Sequence, residues 1–122
     1  MAGALTAYIT AACRALGLKS LVLTDTNGVE IARGGDEIEE TQMLAAVFQS
    51  AIESTAKVPI GTLRTVVLRH SPYFLVQRSL SSVYLTAVLE REHLLGKTLA
   101  AMDKMQTELT QVVQLFANTE AI

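Results

Sequence analysis

Leu21-Val22-Leu23-Thr24-Asp25-Thr26-Asn27-Gly28-Val29-Glu30-Ile31 is the stretch on which the fold turns. It opens on apolar residues at consecutive positions, as a strand covered on both faces requires. Asp25-Thr26-Asn27-Gly28 then makes a turn, and Asn27-Gly28 is the strongest short hairpin signal because both residue types tolerate positive φ. The chain returns as a short second strand over 29–33, and Gly34-Gly35-Asp36 breaks it again. Upstream, Leu5, Ile9, Ala12 and Leu16 recur at helical spacing, with Gly17 placed to cap the helix C-terminus.

Downstream the pattern continues without linker, repeat or low-complexity segment. A second helix is predicted over 39–57, closed off by Pro59 and Gly61. Three strands follow over 63–70, 73–78 and 83–89, with connections short enough for antiparallel hairpins. A long helix over 92–118 ends the chain. The order α-β-β-α-β-β-β-α predicts an α+β fold, one domain over 1–122, with a five-stranded antiparallel sheet. Val66-Val67-Leu68 and Phe74-Leu75-Val76 are also apolar at consecutive positions, so both sheet faces should be covered.

Half of the 122 residues are hydrophobic and mean hydropathy is +0.34, high for so small a chain. That much apolar surface calls for a partner as well as a core. Net charge is −2 with the ten basic residues scattered singly, which argues against nucleic acid and against a polybasic membrane patch. The lone Cys13 excludes a disulfide framework within one chain and favours a reducing, cytoplasmic setting. No signal peptide or membrane span is expected, so any membrane association would come through partners.

Two helices and one strand say more. Met43, Leu44, Val47, Phe48, Ala51, Ile52 and Ala56 cover roughly 220° of the second helix at about 100° per residue. One sheet face needs much less, so this helix either meets a partner beyond its own sheet or lies sunk under a loop. Leu95, Leu99, Met102, Leu109, Val113 and Phe116 stand at heptad-like spacing on the last helix, with Gln106 at the one polar step. At about 40 Å it should overhang the sheet, packing beside the first helix over its N-terminal half and leaving the stripe from Leu109 onward for a partner or to fray. The third strand, if it lies at an edge, offers its backbone for strand addition, although Arg64, Arg69 and His70 can also guard against it.

With these elements in place, the chain resembles the roadblock / dynein light chain family, whose fold is profilin-like with one helix on one sheet face and two on the other. The resemblance rests on the strand-turn-strand over 22–31, on 51–57, on 65–78 and on the apolar final strand. Within the family it is most similar to the MAP-kinase scaffold branch of the late-endosomal/lysosomal adaptor (Ragulator). The resemblance implies a non-catalytic adaptor that pairs with a roadblock-fold partner, as heterodimer or homodimer. Second helices would lie together and third strands align across the seam. Carried onto this chain, the interface comprises Met43, Val47, Ser50, Ala51 and Ser54 on the helix and Thr65, Val66, Val67, Leu68 and Arg69 on the strand. It also implies a platform for Ras-like small GTPases and a MAP-kinase kinase in TOR-type signalling at late endosomes or lysosomes. The alternative is a regulator of small-GTPase activity akin to prokaryotic polarity regulators.

Catalytic readings find little support. His70 and His93 lack Cys, His or carboxylate neighbours at ligand spacing beyond Glu90 and Glu92, and surface or structural roles suit them better. Cys13 suits a small core position. Asp36, Glu37, Glu39 and Glu40 fit the dipole at the start of the second helix better than a Ca²⁺ or Mg²⁺ site. Gly34-Gly35 is no phosphate loop, since no Lys-Ser/Thr follows. A small-ligand sensor would need a polar-lined pocket, for which Gln77 and Thr86 are the best candidates. The expectation is no cofactor, no metal and no catalytic set.

Overall fold

The structure is a computed structural model that describes residues 2–37, 41–55, 65–70, 72–80 and 82–120; side chains of 2, 41, 42, 55, 70 and 112–120 lie outside the description. The order is α1 (Ala2–Leu16), β1 (Ser20–Asp25), β2 (Glu30–Gly35), α2 (Thr41–Thr55), β3 (Thr65–His70), β4 (Tyr73–Ser79), β5 (Val83–Leu89), a 3₁₀ turn (Glu92–Leu94) and α3 (Leu95–Glu120). The strands form one antiparallel sheet in the order β2-β1-β5-β4-β3. β5 is central and buried at every position, which explains why Val83–Leu89 does not alternate in hydropathy.

Alternate residues of each strand supply two unequal layers. Leu21 and Leu23 of β1, Val76 of β4 and Leu85, Ala87 and Leu89 of β5 meet Ile9, Cys13 and Leu16 of α1 and Met102, Met105 and Leu109 of α3. On the opposite face Ala45 and Phe48 of α2 pack on Tyr84, flanked by Ile52 and Val66. The Phe48 and Tyr84 rings are 4.8 Å apart and tilted by 50°. One helix therefore covers one face and two cover the other.

Both glycine signals act where the sequence places them. Gly17 adopts φ 68°, its N–H donating to Arg14 O while Leu18 N–H donates back to Cys13 O, so two terminal carbonyls of α1 are satisfied. The hairpin loop is Thr26-Asn27-Gly28. Asp25 N–H donates to Val29 O at 3.0 Å, Gly28 takes φ 87°, and Asp25 Oδ1 accepts from Asn27 N–H and Val29 N–H. This is a three-residue loop with a left-handed glycine rather than a two-residue turn, and the register shifts between Leu23 and Thr24.

Three expectations are corrected. β2 runs through Gly34 and Gly35, because Gly34 permits close packing on α1: an added Cβ would lie 2.8 Å from Thr10 Cα and 2.9 Å from Ile9 O. Asp36 is drawn to Lys19 Nζ at 3.1 Å rather than to the helix start; α2 is described over Thr41–Thr55, and the expected start at Glu39, Glu40 and the expected helix end at 56–57 lie outside the described residues. On α3, Leu109 is buried in the core rather than free for a partner, and Met105 joins it although the heptad reading passed over it. Val113 and Phe116 fall among the side chains not described.

Candidate interaction surface

α2 is held to the sheet along one stripe. Ala45 and Phe48 are buried, Gln77 Nε2 donates to Leu44 O at 3.3 Å, and Tyr84 O–H donates to Gln49 Oε1. Burial, with the nearby Glu53 charge, raises the Tyr84 phenol above its ordinary value. The opposite stripe points away from the sheet. Met43, Val47, Ser50 and Ser54 fall within about 60° of arc; all four are exposed, Met43 at 56% and Val47 at 50%. Ala51 is half-buried beside them. A helix sunk under a loop is thereby excluded.

β3 is an edge strand, paired with β4 alone among the described strands. Val66 and Leu68 lie opposite Gln77 and Leu75 on the α2 side. Thr65, Val67 and Arg69 project on the α3 side, with Val67 44% exposed. The Arg69 guanidinium lies 5.6 Å from the Phe74 ring centre. The ten residues singled out in the sequence are thus divided between the outer flank of α2 and the edge beside it.

Residues that the sequence reading passed over brace this edge. Arg78, nearly buried, donates through Nε to Thr65 Oγ1 at 2.9 Å and through Nη1 to Asp103 of α3. The signal was a charge inside an otherwise apolar strand. At the far edge, Val29 and Ile31 are also exposed; a hairpin was expected there, but not apolar side chains turned outward.

A cleft of about 410 Å³ opens between the N-terminal end of α2 and the sheet, lined by Met43, Leu44, Leu68, Tyr73, Leu75 and Val88. Lys19, Ser20, Asp36, Glu37 and Arg69 complete its lining. Lys19 Nζ lies 5.2 Å from the Tyr73 ring centre, and its pKa is raised chiefly by the Asp36 hydrogen bond. Gln77 and Thr86, the candidate pocket polars, are instead buried and bonded to each other under α2; Gln77 Oε1 has no hydrogen-bond partner among the described residues.

The remaining titratable candidates stand apart. Cys13 is buried with Sγ 3.5 Å from Leu18 O, and burial, then the Asp36 charge, pushes its thiol pKa up. That is the reverse of what a nucleophilic cysteine needs. His93 is exposed and the His70 side chain is not described. Among the described residues no group of three or more His, Cys, Asp or Glu could hold a metal ion, and no helix is long and apolar enough to cross a membrane.

The architecture has known counterparts. Myxococcus xanthus MglB superposes with a TM-score of 0.75 at 17% identity, over 90% of this chain and 94% of that one. A Roadblock/LC7 domain from Streptomyces avermitilis gives 0.59 at 18%, over 82% and 85%. Acanthamoeba castellanii profilin IA gives 0.61 at 16%, over 87% and 96%. These identities establish shared fold alone. Among curated proteins none matches in sequence. A family model described as mitogen-activated protein kinase kinase 1 interacting matches residues 6–116, nearly the whole chain. The chain therefore belongs to the mitogen-activated protein kinase kinase 1 interacting family and has the roadblock fold.

Proposed function

We propose that this protein is a non-catalytic adaptor that pairs with a second roadblock-fold subunit through α2 and β3. One observation carries the reading: half-exposed Met43 and Val47 on the outer flank of α2 stand beside the apolar edge Val66-Val67-Leu68, which among the described strands pairs with β4 alone. Alignment of that edge with a partner strand satisfies its backbone groups, while the two α2 flanks remove apolar area from water. Ser50, Ala51 and Ser54 let the helices approach closely, and Thr65 and Arg69 bound the strand contact. The paired sheet is a platform for a Ras-like small GTPase and, in keeping with the family's description, for a MAP-kinase kinase. In this reading the chain is cytoplasmic and reaches late endosomal or lysosomal membranes only through its partners, as in Ragulator.

The test is the double variant Val47→Asp/Val67→Asp, which would bury unpaired charge in the contact. Light scattering should give a two-chain mass, or coelution with the partner, for the natural protein and a single-chain mass for the variant. An unchanged assembly state overturns the reading. The likeness in fold to MglB keeps a second reading beside this one, a regulator of small-GTPase turnover. It requires GTP hydrolysis or nucleotide exchange by a cognate Ras-like GTPase to change when the protein is added. An adaptor leaves both rates as they were.

A further inference from the structure

Which partner the β3 edge fits, and in what register, follows from where its backbone and charged groups point; this inference rests on the pairing just proposed. Leu80 N–H donates to Val83 O and closes the β4–β5 hairpin. Bonding alternates along an antiparallel strand. Arg78, Val76 and Phe74 therefore spend their backbone groups on β5, while Gln77 and Leu75 spend theirs on Val66 and Leu68 of β3. Thr65, Val67 and Arg69 are left with N–H and C=O directed out of the sheet.

A second copy related by a two-fold axis presents the same three residues in reverse order. Only a register centred on Val67 matches all of them, with Val67 opposite its own copy and Thr65 opposite Arg69. Shifting it either way drops at least one of these pairs, and centring it on Arg69 opposes like charges. The axis stands perpendicular to the joined sheet, so Thr65 and the Arg69 facing it share the α3 side.

On that side a carboxylate is already in place. Thr65 Oγ1 accepts from Arg78 Nε at 2.9 Å, and Arg78 Nη1 donates to Asp103 Oδ1 of α3. The Asp103 side chain is 75% exposed, and among the described residues Arg78 is its one ion-pair partner. Arg69 is exposed, lies over the Phe74 ring and has no acid partner among the described residues. We infer that Arg69 of one copy pairs with Asp103 of the other, so that the seam joins two identical chains and is fastened by one ion pair at each end. A guanidinium has donors to spare for the second carboxylate oxygen. Arg78 is the positioning residue, fixing Thr65 at the edge and Asp103 above it.

The experiment is a double-mutant cycle on self-association of the full chain, followed by sedimentation equilibrium for the natural protein, Arg69→Ala, Asp103→Asn and the two combined. Asparagine keeps an oxygen for Arg78 and removes the charge that Arg69 meets. Each single variant should weaken association about tenfold, two pairs being lost at once, and the combination hardly more than either alone. Arg14→Ala, which removes an exposed charge from α1, should leave association unchanged. Single variants without effect, or effects that simply multiply, overturn the ion pair while self-association stands. A natural protein that sediments as a single chain overturns self-pairing too, whereas its coelution with a different roadblock-fold subunit would preserve the pairing proposed above. The register is read separately with Val67→Cys. Opposed Cα atoms about 5.5 Å apart fit a disulfide, so mild oxidation should link two chains. A dimeric Val67→Cys protein that yields no linked product overturns the register and the ion pair with it.

Discussion

Gly34 occupies a strand where any side chain would strike the backbone of α1. The atoms in its way belong to Thr10 and Ile9 main chain and have nowhere to move. Gly34→Ala should therefore destabilise the chain by about 1–3 kcal/mol through overpacking, read as a lowered urea midpoint with unchanged slope. Arg78 poses the opposite problem, a nearly buried cation whose carboxylate partner is three-quarters exposed. Asp103→Ala should cost only about 1–2 kcal/mol, because water replaces part of the lost interaction. A loss indistinguishable from zero would show that Thr65 alone suffices to hold the guanidinium. Burial holds the Cys13 thiol in its protonated form, so labelling by a thiol reagent at pH 8 should be slow in the folded protein and rapid after denaturation.

Elements differ in how openly the sequence displayed them. Leu5, Ile9 and Leu16 announced α1, and Asn27-Gly28 announced the hairpin, because spacing and left-handed backbone are local properties. The extent of β2 was hidden, since a glycine that ends a chain direction and one that admits a helix are the same letter. The part played by Asp36 and Glu37 was misread because they resemble dipole-stabilising acids until Lys19 and Arg33 come close in space. Of the candidate surface, the breadth of apolar residue on α2 was legible, whereas the edge position of β3 and its brace by Arg78 depend on strand order, which no local pattern encodes. α2 itself is fastened through few side chains. Phe48→Ala should cost about 3–5 kcal/mol, while Val47→Ala on the outer stripe should change the stability of the unpaired chain by no more than about 0.5 kcal/mol. Denaturant titrations of both variants at low protein concentration make the comparison.

For the molecule as a whole, two buried acids, Cys13 and Tyr84, and the half-buried Tyr8 bear on its alkaline limit. Burial raises the pKa of Cys13, Tyr8 and Tyr84, and for Tyr8 the hydrogen bond it donates to Glu108 adds to the effect. Each group keeps its proton longer in the folded than in the unfolded chain. The stability they contribute is complete below about pH 8.5 and is lost as pH climbs through the thiol and then the phenol range. Urea midpoints should hold level between about pH 7 and 8.5 and then decline, less steeply in Tyr8→Phe. Pairing would add a second dependence, a thermal midpoint that rises with protein concentration. The position of β5 sets the timing of assembly on the ribosome. Last of the strands to be made, it is the keystone between β1 and β4. Until residues 83–89 emerge, the growing polypeptide holds two separate β-ribbons with greasy flanks, each in need of shelter, and the sheet closes only once β5 is free to enter between them.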